Sequence, residues 1–235
     1  MKKTLIYKST FFIVIAIVFT TCCGSSIFAE NETRRVYSKN REKSGQIALT
    51  FDDGPHPRYT QDILDILAKY GITATFFVIG VNATLYSDAL KAIVDSGCEI
   101  GNHTFTHDDL KCACTDKIIK EISDCEKAIS ELTNTKPRIV RPPHGAYSKN
   151  LEEVANRLGY DVILWSIDTK DWAHTPANEI AQRVLSSLND GDIILMHDYV
   201  SGKNTTRDAL NVLIPEILKR GYKFVTVSEL ISGEA

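Results

Sequence analysis

Five short stretches gather the side chains able to do chemistry. Thr50-Phe51-Asp52-Asp53-Gly54-Pro55 ends an apolar run with two adjacent carboxylates. Successive strand side chains alternate and the Gly-Pro pair forces a turn, so the two acids point different ways and can divide two roles between them. His103 and His107, in His-Thr-Phe-Thr-His, stand at i, i+4. That spacing sets both imidazoles on one side of a helical turn, as a metal chelate needs. Arg141-Pro142-Pro143-His144-Gly145 puts a guanidinium ahead of a stiff exit and a glycine that admits close approach to the backbone. Asp168-Thr169-Lys170-Asp171-Trp172 and Leu195-Met196-His197-Asp198 add further carboxylates, an indole and an imidazole. Singly, each stretch also fits a capped turn, a rigid loop or a pair of solvent-facing histidines.

Their placement is the stronger signal. Strand-like runs fall at 46–51, 74–79, 99–102, 139–141, 161–167, 192–196 and 223–227, each short and mostly β-branched or aromatic. Helical patterns lie between them, with Ile63, Leu64, Ile66 and Leu67 on one side of 60–70, and Ile118, Ile119, Ile122, Cys125 and Ile129 spaced by three and four along 116–132. Gly71, Gly97, Gly159 and Gly221 follow four helix ends as C-cap glycines do. Such alternation predicts a single α/β domain on a parallel sheet, either closed into a barrel or open. All five clusters then sit at carboxyl ends of strands, the rim where α/β barrels assemble active sites from separate loops. His56 and His174 lie on the same rim with no evident role.

With 27 Lys plus Arg against 30 Asp plus Glu in 235 residues, the formal charge is −3. No polyanion-attracting field follows, so a nucleic-acid partner is excluded. Three of those basic residues, Lys2, Lys3 and Lys8, precede an apolar run from Phe11 to Phe19 and a small, polar stretch ending at Ala29. Residues 1–29 therefore read as a secretory signal cleaved after Ala29, which predicts an extracytoplasmic protein at the cell envelope. Retained, the same segment would be its one membrane contact, although the apolar run is shorter than the roughly 18 to 20 residues a bilayer core requires. Lipid attachment at Cys22-Cys23 is a weaker reading of this segment. Residues 30–44, with Arg34, Arg35, Lys39, Arg41 and Lys43 interrupted by Val36 and Tyr37, predict a solvated linker. Cys98, Cys112, Cys114 and Cys125 allow up to two disulfides in three pairings. No second pair matches Cys112 and Cys114 at the spacing of a zinc finger.

The ordered set TFDDGP, HTFTH, RPPHG, DTKDW and LMH resembles the NodB-homology polysaccharide deacetylases, carbohydrate esterase family 4. The resemblance covers Gly45 to Glu229 and implies a distorted (β/α) barrel of about seven parallel strands; the deacetylase domain is expected over 45–235 and the protein is expected to be a monomer. It implies one divalent metal, usually zinc with cobalt or another ion as alternatives, held by Asp53, His103 and His107. Two imidazoles and a carboxylate leave coordination positions open, the mark of a catalytic site. By the same resemblance Asp52 is the general base and Arg141 its orienting partner. His197 is the general acid for the leaving amine, with Asp171 beside it. Trp172 and Leu195 wall the acetyl methyl, and the backbone N–H of His144 holds the developing oxyanion. The family more often has tyrosine where His144 stands, which alters what the ring meets in the sugar groove and leaves the main-chain donor in place.

The implied reaction is metal-dependent removal of N-acetyl groups from a polysaccharide. Peptidoglycan N-acetylglucosamine is the first substrate, followed by chitooligosaccharides and then O-acetylated xylan. Family members acting on muramic acid typically carry asparagine where Asp53 stands, so the aspartate favours N-acetylglucosamine. A secreted glycan-binding pseudoenzyme is the rival from another class; it is expected to lose a ligand or the Asp52 base, and none is missing. A serine esterase fits less well, because no Gly-x-Ser-x-Gly elbow follows a strand.

Overall fold

In the computed structural model, residues 35–202 and 204–232 are described, all within one compact unit spanning Thr33–Ala235. The expected signal at 1–29 lies outside them. No helix among the described residues is long and apolar enough to cross a membrane. The strands are β1 (Val36–Tyr37), β2 (Gln46–Asp52), β3 (Thr75–Val78), β4 (Glu99–Asn102), β5 (Ile139–Val140), β6 (Asp161–Ile163), β7 (Ile167–Asp168), β8 (Ile193–His197) and β9 (Lys223–Val225). Between and around them run α1 (Tyr59–Tyr70), α2 (Gly80–Leu85), α3 (Ser87–Asp95), α4 (Thr115–Thr133), α5 (Lys149–Leu158), α6 (Ala177–Ser187), α7 (Thr206–Lys219) and α8 (Val227–Ile231).

The strand order is β1-β6-β5-β4-β3-β2-β8-β7, and every pair of these neighbours is parallel. β2 is the hub: Gln46–Ala48 pair with β9, Thr50–Asp52 with β3, and Ala48–Asp52 with β8. The result is a curled sheet wrapped in helices, a distorted (β/α) barrel.

Period-two alternation along β2 sorts its side chains. Ile47, Leu49 and Phe51 join the outer core under the helices, with Ile63, Leu67, Leu210 and Leu213. Ala48 faces the interior with Phe77, Ile139, Ile163 and Ile193. Both faces are covered, so the strand is apolar almost throughout. α8 closes the amino end of the interior: Val227 and Leu230 pack into that inner cluster, and Thr226 and Glu229 form a capping box that starts the helix. Gly101 on β4 lies against the Phe77 ring, where a Cβ would come within 2.5 Å of it, so glycine is required for this close approach.

Two expectations change. Val36 and Tyr37, within the stretch read as a solvated linker, form β1 by pairing with Val162 and Ile163, and Arg41 reaches the buried Asp192 at 2.8 Å. A two-residue apolar signal among charges is too short to announce an edge strand; its partner supplies the order. The single strand expected at 161–167 is two, β6 and β7, parted where Trp165 packs with the interior cluster. The four cysteines are free, with Cys98 and Cys125 buried and Cys112 and Cys114 exposed.

Candidate active site

Parallel pairing sets Asp52, the last residue of β2, beside His197, the last of β8. Asp52 is buried and Arg141 Nη1 donates to its Oδ1 at 2.6 Å. The same nitrogen donates to Thr50 Oγ1 at 2.8 Å, and Nη2 donates to Leu164 O at 3.1 Å. The guanidinium lies 4.0 Å from the Phe77 ring centroid and 5.7 Å from that of Trp165. Burial lowers the Arg141 pKa, and the Asp52 carboxylate opposes that fall.

Asp53 turns away from Asp52, as the sequence predicts, with its backbone in the left-handed region at φ 75°. Its Oδ1 is buried and makes no hydrogen bond, yet His107 Nε2 stands 3.1 Å from it and His103 Nε2 3.4 Å. Ligand atoms of the three residues lie within 4.8 Å of one another. His103 Nδ1 lies 2.8 Å from Arg141 O; a carbonyl only accepts, so this nitrogen carries the proton and Nε2 of the neutral ring offers a lone pair. Burial raises the Asp53 carboxyl, but the two imidazoles outweigh it and hold it well below the usual carboxylate range. Burial depresses the His103 imidazole; the Asp52 charge and the contact with Asp53 outweigh that and raise it. An orphaned carboxylate oxygen facing two nitrogens that each compete for it is the donor set of a divalent cation site, and the residues fit one.

The two histidines converge differently from the helical turn expected of their spacing. Residues 103–107 form a loop in which Thr104 (φ 66°) and His107 (φ 63°) are both left-handed.

On the far side of Asp52, His197 Nδ1 meets Asp171 Oδ1 at 2.8 Å. Asp171 is fully buried and accepts as well from His197 N and Thr206 Oγ1, each at 2.8 Å, and from Trp172 N at 3.0 Å. Burial pulls the His197 imidazole down; the Asp171 bond and charge, joined by Asp52 and Asp53, push it up to about 9. Trp172 is half-exposed on the rim with Nε1 donating to Asp168 Oδ1 at 3.3 Å, and Leu195 is buried on β8. His144 (φ 58°) sits edge-on to His107 with centroids 4.8 Å apart.

The profile of the family described as polysaccharide deacetylase matches residues 39–163, and it takes in Asp52, Asp53, His103, His107 and Arg141. The chain belongs to that family. A peptidoglycan-N-acetylglucosamine deacetylase of Bacillus cereus is 39% identical over 194 residues, covering 82% of this chain and 90% of that protein. The peptidoglycan-N-acetylmuramic acid deacetylase PdaC of Bacillus subtilis is 38% identical over 184 residues, and the alignment spans 78% of this chain but 38% of PdaC. The crystal structure of the Bc1960 peptidoglycan N-acetylglucosamine deacetylase superposes with a TM-score of 0.80 at 33% identity, covering 83% of this chain and 92% of that one. The polysaccharide deacetylase family is metal-dependent, in keeping with the Asp53, His103, His107 triplet.

Several contacts around this candidate site escape a reading by motif, including those of Thr50, which the first motif contains. Thr50 Oγ1 donates to Ile194 O at 2.7 Å while accepting from Arg141. Asn82 Nδ2 donates to Asp53 O at 2.8 Å. Thr206, on α7, reaches Asp171 from 35 residues away. Each is a common polar residue whose role depends on a contact distant in sequence, so spacing carries no signal of it. His56 stacks on Tyr59 and Tyr199 at centroid distances of 4.5 and 5.1 Å.

Proposed function

We propose that this chain hydrolyses the acetamide of N-acetylglucosamine residues in peptidoglycan, acting outside the cytoplasm after residues 1–29 direct its export. The carrying observation is the meeting on one rim of the Asp53, His103, His107 triplet with two separately built acid–base groups, Asp52 on Arg141 and His197 on Asp171. Asp53, His103 and His107 would hold one divalent cation, zinc first; such an ion supplies a Lewis acid for the acetyl carbonyl and makes water a competent nucleophile near neutral pH.

The chain's own groups then divide the work. Arg141 occupies Asp52 Oδ1 and leaves Oδ2, 3.7 Å from His103 Nε2, to take a proton from the attacking water. Asp171 fixes His197 through Nδ1, so Nε2 gives its proton to the leaving nitrogen as the C–N bond breaks. The products are acetate and a glucosamine amine. The backbone N–H of His144 donates to the oxygen that gains charge. Trp172 and Leu195 flank the acetyl methyl.

Similarity to PdaC favours muramic acid as the second reading; the Asp53 carboxylate favours glucosamine. Treating purified peptidoglycan, chitooligosaccharides and acetylxylan with the protein and metal, then assigning free amines by mass spectrometry, separates these. Amines on N-acetylglucosamine units are expected; amines on muramic acid alone, or acetate from xylan alone, would overturn the assignment. Asp53→Ala, His103→Ala and His107→Ala should each abolish tight zinc binding in a calorimetric titration, while Asp52→Asn keeps the metal and loses turnover. Unchanged affinity in the first three removes the chelate.

A further inference from the structure

Glu121 stands in the second turn of α4, outside every motif, and its side chain is buried. A buried carboxylate needs partners, and this one finds them in the chelate loop. Oε2 accepts from Phe105 N at 3.0 Å and from Thr106 N at 2.8 Å, while Oε1 accepts from Thr106 Oγ1 at 2.8 Å. Phe105 and Thr106 lie between the two histidines that face Asp53.

The loop has reason to need such a clamp. Thr104 and His107 both hold positive φ, a conformation that non-glycine residues avoid and that is least comfortable for a β-branched threonine. Strain of this kind persists only where the surroundings over-determine the backbone. The other contacts hold its beginning: Thr104 N donates to Asn102 Oδ1 at 2.9 Å, and Thr104 O and Phe105 O accept from Gly80 N and Val81 N at 3.0 Å. Past Phe105, toward His107, the carboxylate of Glu121 holds the Thr106 amide, and His107 N donates to Thr104 Oγ1 at 3.2 Å.

We infer that Glu121 is a positioning residue for the metal chelate: by binding the Phe105 and Thr106 amides it keeps the loop out of the helical turn its spacing permits and holds His107 Nε2 against Asp53. It touches neither the ligand atoms nor substrate, and acts through the loop backbone. Groups hydrogen-bonded directly to metal ligands typically carry a 10- to 100-fold effect on metal affinity, and Glu121, one step further out, falls at the lower end of that range. The inference rests on reading Asp53, His103 and His107 as a chelate.

The test is calorimetric titration of metal-stripped protein with zinc alone, beside thermal melting of the same metal-free samples. Glu121→Ala is expected to weaken zinc by about 10-fold, the lower end of the range for direct partners of metal ligands. Glu121→Gln, whose amide oxygen can still accept from both backbone N–H groups, is expected to restore most of that affinity. Thr106→Val, which removes only the third bond, should weaken binding by less than the alanine variant does. A Glu121→Ala protein with wild-type zinc affinity and only a lowered melting temperature overturns the inference, since a merely structural glutamate would behave that way. Should Glu121→Ala fail to fold, parental affinity in Thr106→Val together with a Glu121→Gln affinity as low as that of a ligand deletion overturns it equally. Wild-type protein that binds no zinc removes the chelate itself, a result distinct from either.

Discussion

His197 and Asp52 end neighbouring strands side by side, yet their partners carry opposite charge, in line with the opposite tasks proposed for them. Asp52 is held by a guanidinium, which suits a group that must accept a proton; His197 is held by a buried carboxylate, which suits one that must arrive charged. With the imidazole pushed up to about 9, its charged form persists through neutral pH and is lost as pH rises through that value. The basic limb of kcat/KM should therefore lie above the ordinary imidazole range and no higher than about 9, because a cation held by Asp53 would offset part of the negative charge that raises His197. Asp171→Asn removes the charge that favours the imidazolium, so the limb should move to lower pH by about one to three units. A limb that stays put in a folded variant separates Asp171 from the proton transfer. At this scale the placement of the motifs was legible in the sequence: nine of the ten residues expected in the site fall at or just beyond carboxyl ends of strands, and Leu195 lies within β8. The sequence was silent on Thr206 and Glu121 and on the bonds that Thr50 makes, since these residue types are ordinary and their partners are distant.

Elements place these groups by contacts that periodicity cannot display. The alternation of β2 and the apolar faces of α1 and α4 were legible because burial on a fixed period leaves its mark in every residue. The path of the loop at 103–107 was not, because the same i, i+4 spacing serves a helical turn and a strained loop. The turn after β2 depends on a similar contact. Gly54 packs on Asp198, whose Oδ2 would lie 2.0 Å from a Cβ at position 54, and Thr60 Oγ1 donates to that oxygen at 2.5 Å while accepting from His56 N at 2.7 Å. Burial raises the Asp198 carboxyl to about 7, against the Thr60 bond and with the Asp53 charge. Gly54→Ala should thus force the turn or the carboxyl aside, costing about 1–3 kcal/mol as overpacking does and displacing Asp53 enough to reduce turnover. Its stability cost should shrink in an Asp198→Ala background, where the clashing atoms are gone. Equal costs in both backgrounds, read from denaturant melts, would mean that Asp198 does not restrict position 54.

Across the whole molecule the curled sheet stays open. β6 and β7 follow one another in the chain, yet β6 pairs with β5 and β1 while β7 pairs with β8. Arg141 crosses the interior near this opening: Nη2 and Nε donate to Leu164 O and Ile163 O at the end of β6, while Nη1 reaches Thr50 and Asp52 on β2. Fully buried between Phe77 and Trp165, it links two sides of the barrel and keeps the Asp52 carboxylate paired. Removing one partner of a buried ion pair leaves an uncompensated charge and costs about 3–5 kcal/mol. Arg141→Ala should lose that much stability, and Arg141→Lys should recover little of it, because an ammonium cannot reproduce the planar fork that serves β2 and β6 together. If the unpaired Asp52 charge dominates the loss, Asp52→Asn added to Arg141→Ala should return a substantial part of it. If instead the lost packing and carbonyl bonds dominate, the double variant will be no more stable than the single one. Chemical denaturation of the three variants and the parent decides between these, and an Arg141→Ala protein within about 1 kcal/mol of the parent, far below the cost of a broken buried pair, would show that the opening needs no strut.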